Sequence, residues 1–186
     1  MSKGDEVVKT LLLNADYTPR ELIGWKQALS LLWQENEPVV CLHTSTKYKV
    51  DSKGRKHYIP SVLILKNYQR HSGGLATYSK SNIFARDKRT CQYCYKVCTP
   101  ENITIDHVVP RSRWKSNNRV SSFENVVTAC KRCNKRKGDK TPTEAGMRLL
   151  NQPKRITRPQ LLARKAIMLG INMPEWHQYL ESYNSD

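Results

Sequence analysis

Two cysteine pairs, Cys91-x-x-Cys94 and Cys130-x-x-Cys133, restrict this chain more than any other feature. Two intervening residues let both sulfurs of a pair face one point, so two such knuckles complete a tetrahedral four-thiolate zinc site. The 35 residues between the pairs must then run out and back as one excursion. Disulfides are the weaker alternative, because the first residues place Asp5 and Glu6 where a signal peptide carries a basic start, and a reducing cytoplasmic setting is expected. Strictly apolar runs reach only Val62-Leu63-Ile64-Leu65, far short of the roughly 18 residues of a membrane span. A zinc ion closed by four thiolates holds the fold and does no chemistry. Cys98 has poorer ligand spacing, and Cys41 reads as a buried small hydrophobe.

Charge points to the partner. The 186 residues carry 32 Lys+Arg against 16 Asp+Glu, a net +16 at pH 7, and mean hydropathy is −0.68. An excess of this size points to a polyanion, nucleic acid first, because each neutralised phosphate releases counterions. Residues 81–150 hold 15 of the basic residues against 6 acidic ones, with five of the six cysteines. Composition therefore sets three regions: a small α/β region over 1–80, the cysteine-bearing domain over 81–150, and a Pro-rich helical tail over 151–186.

In the first region Val7–Leu13 suits a strand, and Asn14-Ala15-Asp16-Tyr17-Thr18-Pro19 supplies turn chemistry. Between Gly24 and Glu37 the residues Trp25, Ala28, Leu29, Leu32 and Trp33 recur at helical spacing, so both tryptophans are expected in the core. Val39–His43 and Tyr58–Leu65 read as strands around a turn at Asp51-Ser52-Lys53-Gly54, with Pro60 restricting the second to a sheet edge. Residues 71–82 read as a flexible connection. Beyond 150, Leu161–Leu169 is the expected helix, and Trp176, Tyr179 and Leu180 are anchors for the tail.

Between the cysteine pairs, Ile103, Ile105 and His107 alternate as in a strand ended by Pro110, and Phe123–Val127 reads as its returning partner. Cys130–Gly138 has the length of a short helix closed by glycine. The order is strand, loop, strand, helix. The segment Asp106-His107-Val108-Val109-Pro110-Arg111-Ser112-Arg113, then Asn125, then Cys130-Lys131-Arg132-Cys133-Asn134-Lys135-Arg136-Lys137-Gly138-Asp139 resembles the HNH endonuclease family. The Asn14–Pro19 segment and the Pro/Trp tail resemble the flanks of a bacterial and phage subgroup. That resemblance implies an α+β fold: a ββα-metal core stabilised by four cysteines, with a small N-terminal α/β unit and a C-terminal helical tail.

The resemblance also implies roles. His107 would be the general base that takes a proton from the attacking water, and Asn125 would fix it through a hydrogen bond. Asp106 and Asn134 would ligate a catalytic Mg²⁺ or Mn²⁺, Asn134 standing where many members have histidine. Of the acids in 81–150 only Asp106 lies beside a base, which favours one ion over two. Arg111, Arg113, Lys115 and Arg119 on the loop, with Lys135 and Lys137 on the helix, would grip double-stranded DNA through its phosphates.

The expected function is a metal-dependent HNH endonuclease that nicks or cuts DNA by a one-metal mechanism. A double-strand break would take a homodimer or two successive events, and a phage or bacterial DNA-processing partner fits the subgroup. The rival is a non-catalytic zinc-stabilised DNA-binding protein. An RNA-directed nuclease is disfavoured because no aromatic-rich platform for single strands is evident.

Overall fold

A computed structural model describes residues 8–36, 38–70, 74–115, 119–171 and 173–184. Expectations that fell on residues 1–7, on Glu37 and on residues 71–73 lie outside them. The chain divides into two compact units, Met1–Gly73 with Gly170–Asp186, and Gly74–Leu169.

Unit 1 is a four-stranded sheet. Strand β1 (Lys9–Leu13) pairs antiparallel with β2 (Pro19–Gly24), helix α1 (Trp25–Leu32) follows, and β3 (Val39–Val50) and β4 (Lys56–Leu65) form a long hairpin. The order is β2-β1-β4-β3, with β1 and β4 parallel. The Asn14–Pro19 turn is held as its residue types foretell. Asp16 Oδ1 accepts from the Thr18 amide at 3.0 Å, and the buried Asn14 clips onto Gln69 through both ends of its amide, at 2.9 and 3.0 Å. β2 beyond that turn was not foreseen.

Pro60 does not lie on an edge strand, since β4 sits between β1 and β3. β3 shifts register between Cys41 and Tyr48, so the missing Pro60 N–H falls at an irregular stretch of the ladder. The Pro60 carbonyl meanwhile accepts from Thr10 Oγ1 at 2.6 Å. Leu12, Ile23, Ala28, Val39 and Leu63 form the core between sheet and helix, and Cys41 packs against it half-buried.

Unit 2 begins with an extended segment that is tied down. Ala76 is buried and donates its amide to Ile156 O at 2.9 Å, and Ser79 caps helix α2 (Lys80–Arg86). Over 74–82 the connection expected to be flexible is tied down, because Ala76 reaches the core. β5 (Ile103–His107) and β6 (Val126–Cys130) pair antiparallel, from Ile103 opposite Cys130 to His107 opposite Val126. Helix α3 (Lys131–Lys137) continues directly from β6 and ends at Gly138, whose φ of +57° suits glycine. Helix α4 (Arg158–Met168) starts from a capping box of Thr157 and Gln160 and buries Leu161, Leu162, Ala163 and Ala166.

The tail 151–186 is shared between the two units. α4 belongs to unit 2, whereas helix α5 (Pro174–Leu180), a second helix where one was expected, belongs to unit 1. Trp176 on α5 is 2 % exposed, and its indole N–H donates to Ser61 O at 2.9 Å. Trp176→Ala is expected to destabilise unit 1 by about 3–5 kcal/mol, with Trp176→Phe losing less. Denaturant unfolding of the two variants beside wild type checks this.

Candidate active site and metal centre

The β5–β6 hairpin and α3 bring the cysteine pairs together. Cys130 caps α3 and Cys133 lies on its first turn, while the first pair sits on a tight turn in which Tyr95 adopts φ +64° and donates its amide to Cys91 O at 2.9 Å. The sulfurs of Cys91, Cys94, Cys130 and Cys133 all lie within 4.8 Å of one another, and Cys94 Sγ is 4.0 Å from Cys130 Sγ. Sulfurs 2.3 Å from a tetrahedral zinc would be separated by about 3.8 Å, so the cluster fits that ion. Cys98 is outside it. Burial, with the nearby cysteine charges, pushes its thiol up to about 11, so it stays protonated and inert.

Strand alternation sends Asp106 and His107 to opposite faces. Asp106 is 5 % exposed. Its Oδ2 accepts from the Tyr93 hydroxyl at 2.5 Å, and Lys137 Nζ lies 3.2 Å from Oδ1 and 3.1 Å from Oδ2. Burial, reinforced by the Asp106 carboxylate, holds the Tyr93 hydroxyl far above the ordinary phenol range, so it remains a donor. Lys137, expected at the nucleic acid, is 1 % exposed and also donates to His107 O at 2.7 Å. Its ammonium serves the interior and is unavailable to a phosphate.

His107 is half-buried on the other face, with Nε2 3.0 Å from Ser121 Oγ. Arg111 Nε approaches the same nitrogen at 3.5 Å, and a guanidinium can only donate, which makes Nε2 the lone-pair nitrogen of that contact. Burial first, then the positive charges of Arg111 and Lys137, lowers the His107 pKa, against an opposing pull from Asp106. The imidazole is therefore neutral near pH 7.

Asn125 does not bond to the ring. It is buried, accepts from the Val109 amide at 2.8 Å, and donates to the carbonyls of Val109 and Val120, each at 3.1 Å. It ties Val109 and Val120 to one side chain, joining the two ends of the segment that follows β5. Asn134 Nδ2 donates to Ile105 O at 3.0 Å, leaving its amide oxygen without a described partner. That oxygen and the spare acceptor capacity of Asp106 Oδ1 are hard donors, suited in chemistry to Mg²⁺ or Mn²⁺.

Arg111, Lys115, Arg119 and Lys135 are exposed, as is Arg113, whose guanidinium pairs with Glu144 at 2.7 Å. Tyr93, Ser121 and the structural role of Lys137 went unforeseen in the sequence. Only the position of Tyr93 inside the first knuckle hinted at the site.

A hairpin feeding a short helix, with four clustered thiolates at its base and histidine on its first strand, defines the ββα-metal class of domain. Residues 91–150 match the family model described as HNH endonuclease, and residues 10–72 match HNH endonuclease-associated, N-terminal domain. Residues 91–150 thus form an HNH endonuclease domain, preceded by the N-terminal domain associated with it. It is also similar to the CRISPR-associated endonuclease Cas9 of Corynebacterium diphtheriae, 24 % identical over 127 residues. That similarity covers 62 % of this chain and 11 % of the relative. No helix among the described residues is long and apolar enough to cross a membrane.

Purified chain is expected to carry about one zinc per molecule. Cys133→Ser should lose the metal and the cooperative unfolding of unit 2, while Cys98→Ser should retain both. Metal analysis and thermal unfolding read the difference.

Proposed function

We propose that the chain is a metal-dependent endonuclease that hydrolyses phosphodiester bonds of double-stranded DNA, with His107 as general base. The observation that carries this reading is the environment of His107: half-buried, oriented at Nε2 by Ser121, and kept neutral by burial and Arg111. An uncharged imidazole is suited to draw a proton from an attacking water that displaces Ser121 and Arg111 from the Nε2 lone pair. Asp106 and Asn134 are the ligands proposed for one Mg²⁺ or Mn²⁺, which would polarise the scissile phosphate; binding it requires Asp106, buried here against Tyr93 and Lys137, to turn toward the face that carries His107. Asn125 positions the loop so that Arg111 stays beside the base. Arg111, Lys115 and Arg119 from the loop, with Lys135 from α3, are the groups proposed to meet backbone phosphates, contacts that position DNA without reading sequence. Arg113 joins them by exchanging an exposed ion pair that contributes little. One centre per chain nicks; a double-strand break takes two chains or two events.

The non-catalytic alternative, a zinc-stabilised DNA-binding module, draws on one observation. Asp106 already engages Tyr93 and Lys137 in the interior.

Supercoiled plasmid separates the two readings. With Mg²⁺ or Mn²⁺ the chain is expected to yield nicked circles, and His107→Ala to slow the reaction by about 10²–10⁴-fold. Plasmid that is retarded in a gel but uncut under either metal would leave the binding module. For the phosphate contacts, Lys135→Ala is expected to reduce the slope of log affinity against log salt by about 0.9, measured on duplex DNA.

A further inference from the structure

Unit 1 holds a cavity of about 570 Å³ that no step of the mechanism uses. Both tryptophans of the α1 stripe line it, although helical spacing had placed them in the core. α1 stops at Leu32, so Trp33 becomes its C-cap and is 62 % exposed. Single exposed apolar side chains are ordinary. A second indole in the same concavity, under a cationic rim, is not.

The pocket is also braced. The Trp33 and His57 rings meet edge to face at 5.1 Å and 74°. His57 Nε2 lies 3.1 Å from Asp51 Oδ2, and Arg55 Nε donates to that same oxygen at 2.8 Å. The Arg55 amide, then His57, hold the Asp51 carboxyl well below the usual carboxylate range, so its charge is committed within the hairpin. The rim carries three cations against one carboxylate: Lys49 and Lys26 lie over the Trp25 ring at 5.1 and 5.5 Å, and Arg55, paired to Asp51 through Nε, keeps its side chain 68 % exposed. The lysines occupy Trp25, leaving Trp33, braced by His57, as the more open indole.

An aromatic surface ringed by cations is what an unpaired nucleotide requires, since every base has a face to stack and carries a phosphate to neutralise. We propose that this cavity takes an unpaired nucleobase of a nucleic-acid strand, stacked on Trp33, with its flanking phosphates at Lys49 and Arg55. The inference rests on the nucleic-acid reading for its partner and adds a preference to it. A fully paired duplex has no base to offer, so the site would favour gaps, flaps or melted ends. It also supplies, within the N-terminal region, the platform for single strands that was not evident in the sequence.

The test uses the full chain carrying His107→Ala, so that cleavage does not intervene, and fluorescence anisotropy with three probes. These are a single-stranded DNA of about 20 nucleotides, the same strand annealed to its complement, and an abasic strand of equal length and charge. Adding Trp33→Ala is expected to weaken single-strand binding by about 5- to 150-fold while leaving the duplex unchanged, and Trp33→Tyr to restore most of it. With Trp33 intact, the chain should bind the abasic strand about 5- to 150-fold more weakly than the base-bearing one. Because that comparison needs no change at Trp33, it decides the matter even if Trp33→Ala fails to fold. An abasic strand bound as tightly as the base-bearing one, or equal losses on strand and duplex, would overturn the site. Absence of duplex binding strikes the nuclease reading; duplex binding with single-strand affinity indifferent to Trp33 strikes this inference alone.

Discussion

An ionised carboxylate buried in a protein interior must be paired and hydrogen-bonded, or its desolvation unravels what surrounds it. Asp106 meets that demand with the Tyr93 hydroxyl and the Lys137 ammonium. Tyr93 lies between the first two cysteines and Lys137 at the end of α3, so one charge joins the knuckle, the strand and the helix. The same constraint aims the histidine. With Asp106 committed inward, a period of two sends His107 outward. Such a pair is weak support for stability but strict about geometry, because removing either partner strands the other.

A second buried pair fixes the hairpin through β6. Arg86 bonds Asp87 at 2.7 Å and reaches the carbonyls of Phe123 and Val126 at 2.6 and 2.7 Å, while Asp87 accepts the Thr128 amide at 2.7 Å. α2 is thereby tied to β6 by charge-assisted bonds rather than by apolar contact alone. His107, the base proposed above, lies opposite Val126 in the ladder, so these bonds to β6 steady the strand on which it sits.

Much of this was legible in order along the chain. Cysteine spacing gave the cluster, alternation around Ile103, Ile105 and His107 gave β5, and the glycine after Lys137 gave the end of α3. What stayed hidden depends on residues far apart in sequence. Nothing local distinguishes Lys137 from its exposed neighbours Lys135 and Arg136; only the buried Asp106 singles it out. Ser121 and Asn125 likewise act through contacts set by the returning loop. Pro60 misled because a rule about donors says nothing of an irregular register that removes the need for one. Trp33 misled because periodicity marks a face but not where the helix stops.

Unit 1 is assembled from both ends of the chain, with unit 2 inserted between Gly73 and Gly170. A ribosome therefore delivers all four cysteines, β5, β6 and α3 before α5 exists. Metal capture and closure of the cysteine-bearing unit need not wait for Trp176, whereas the sheet of unit 1 lacks this anchor until residues beyond Gly170 are made. In a growing chain unit 2 can therefore close before unit 1 is complete, although the strands of unit 1 are made earlier.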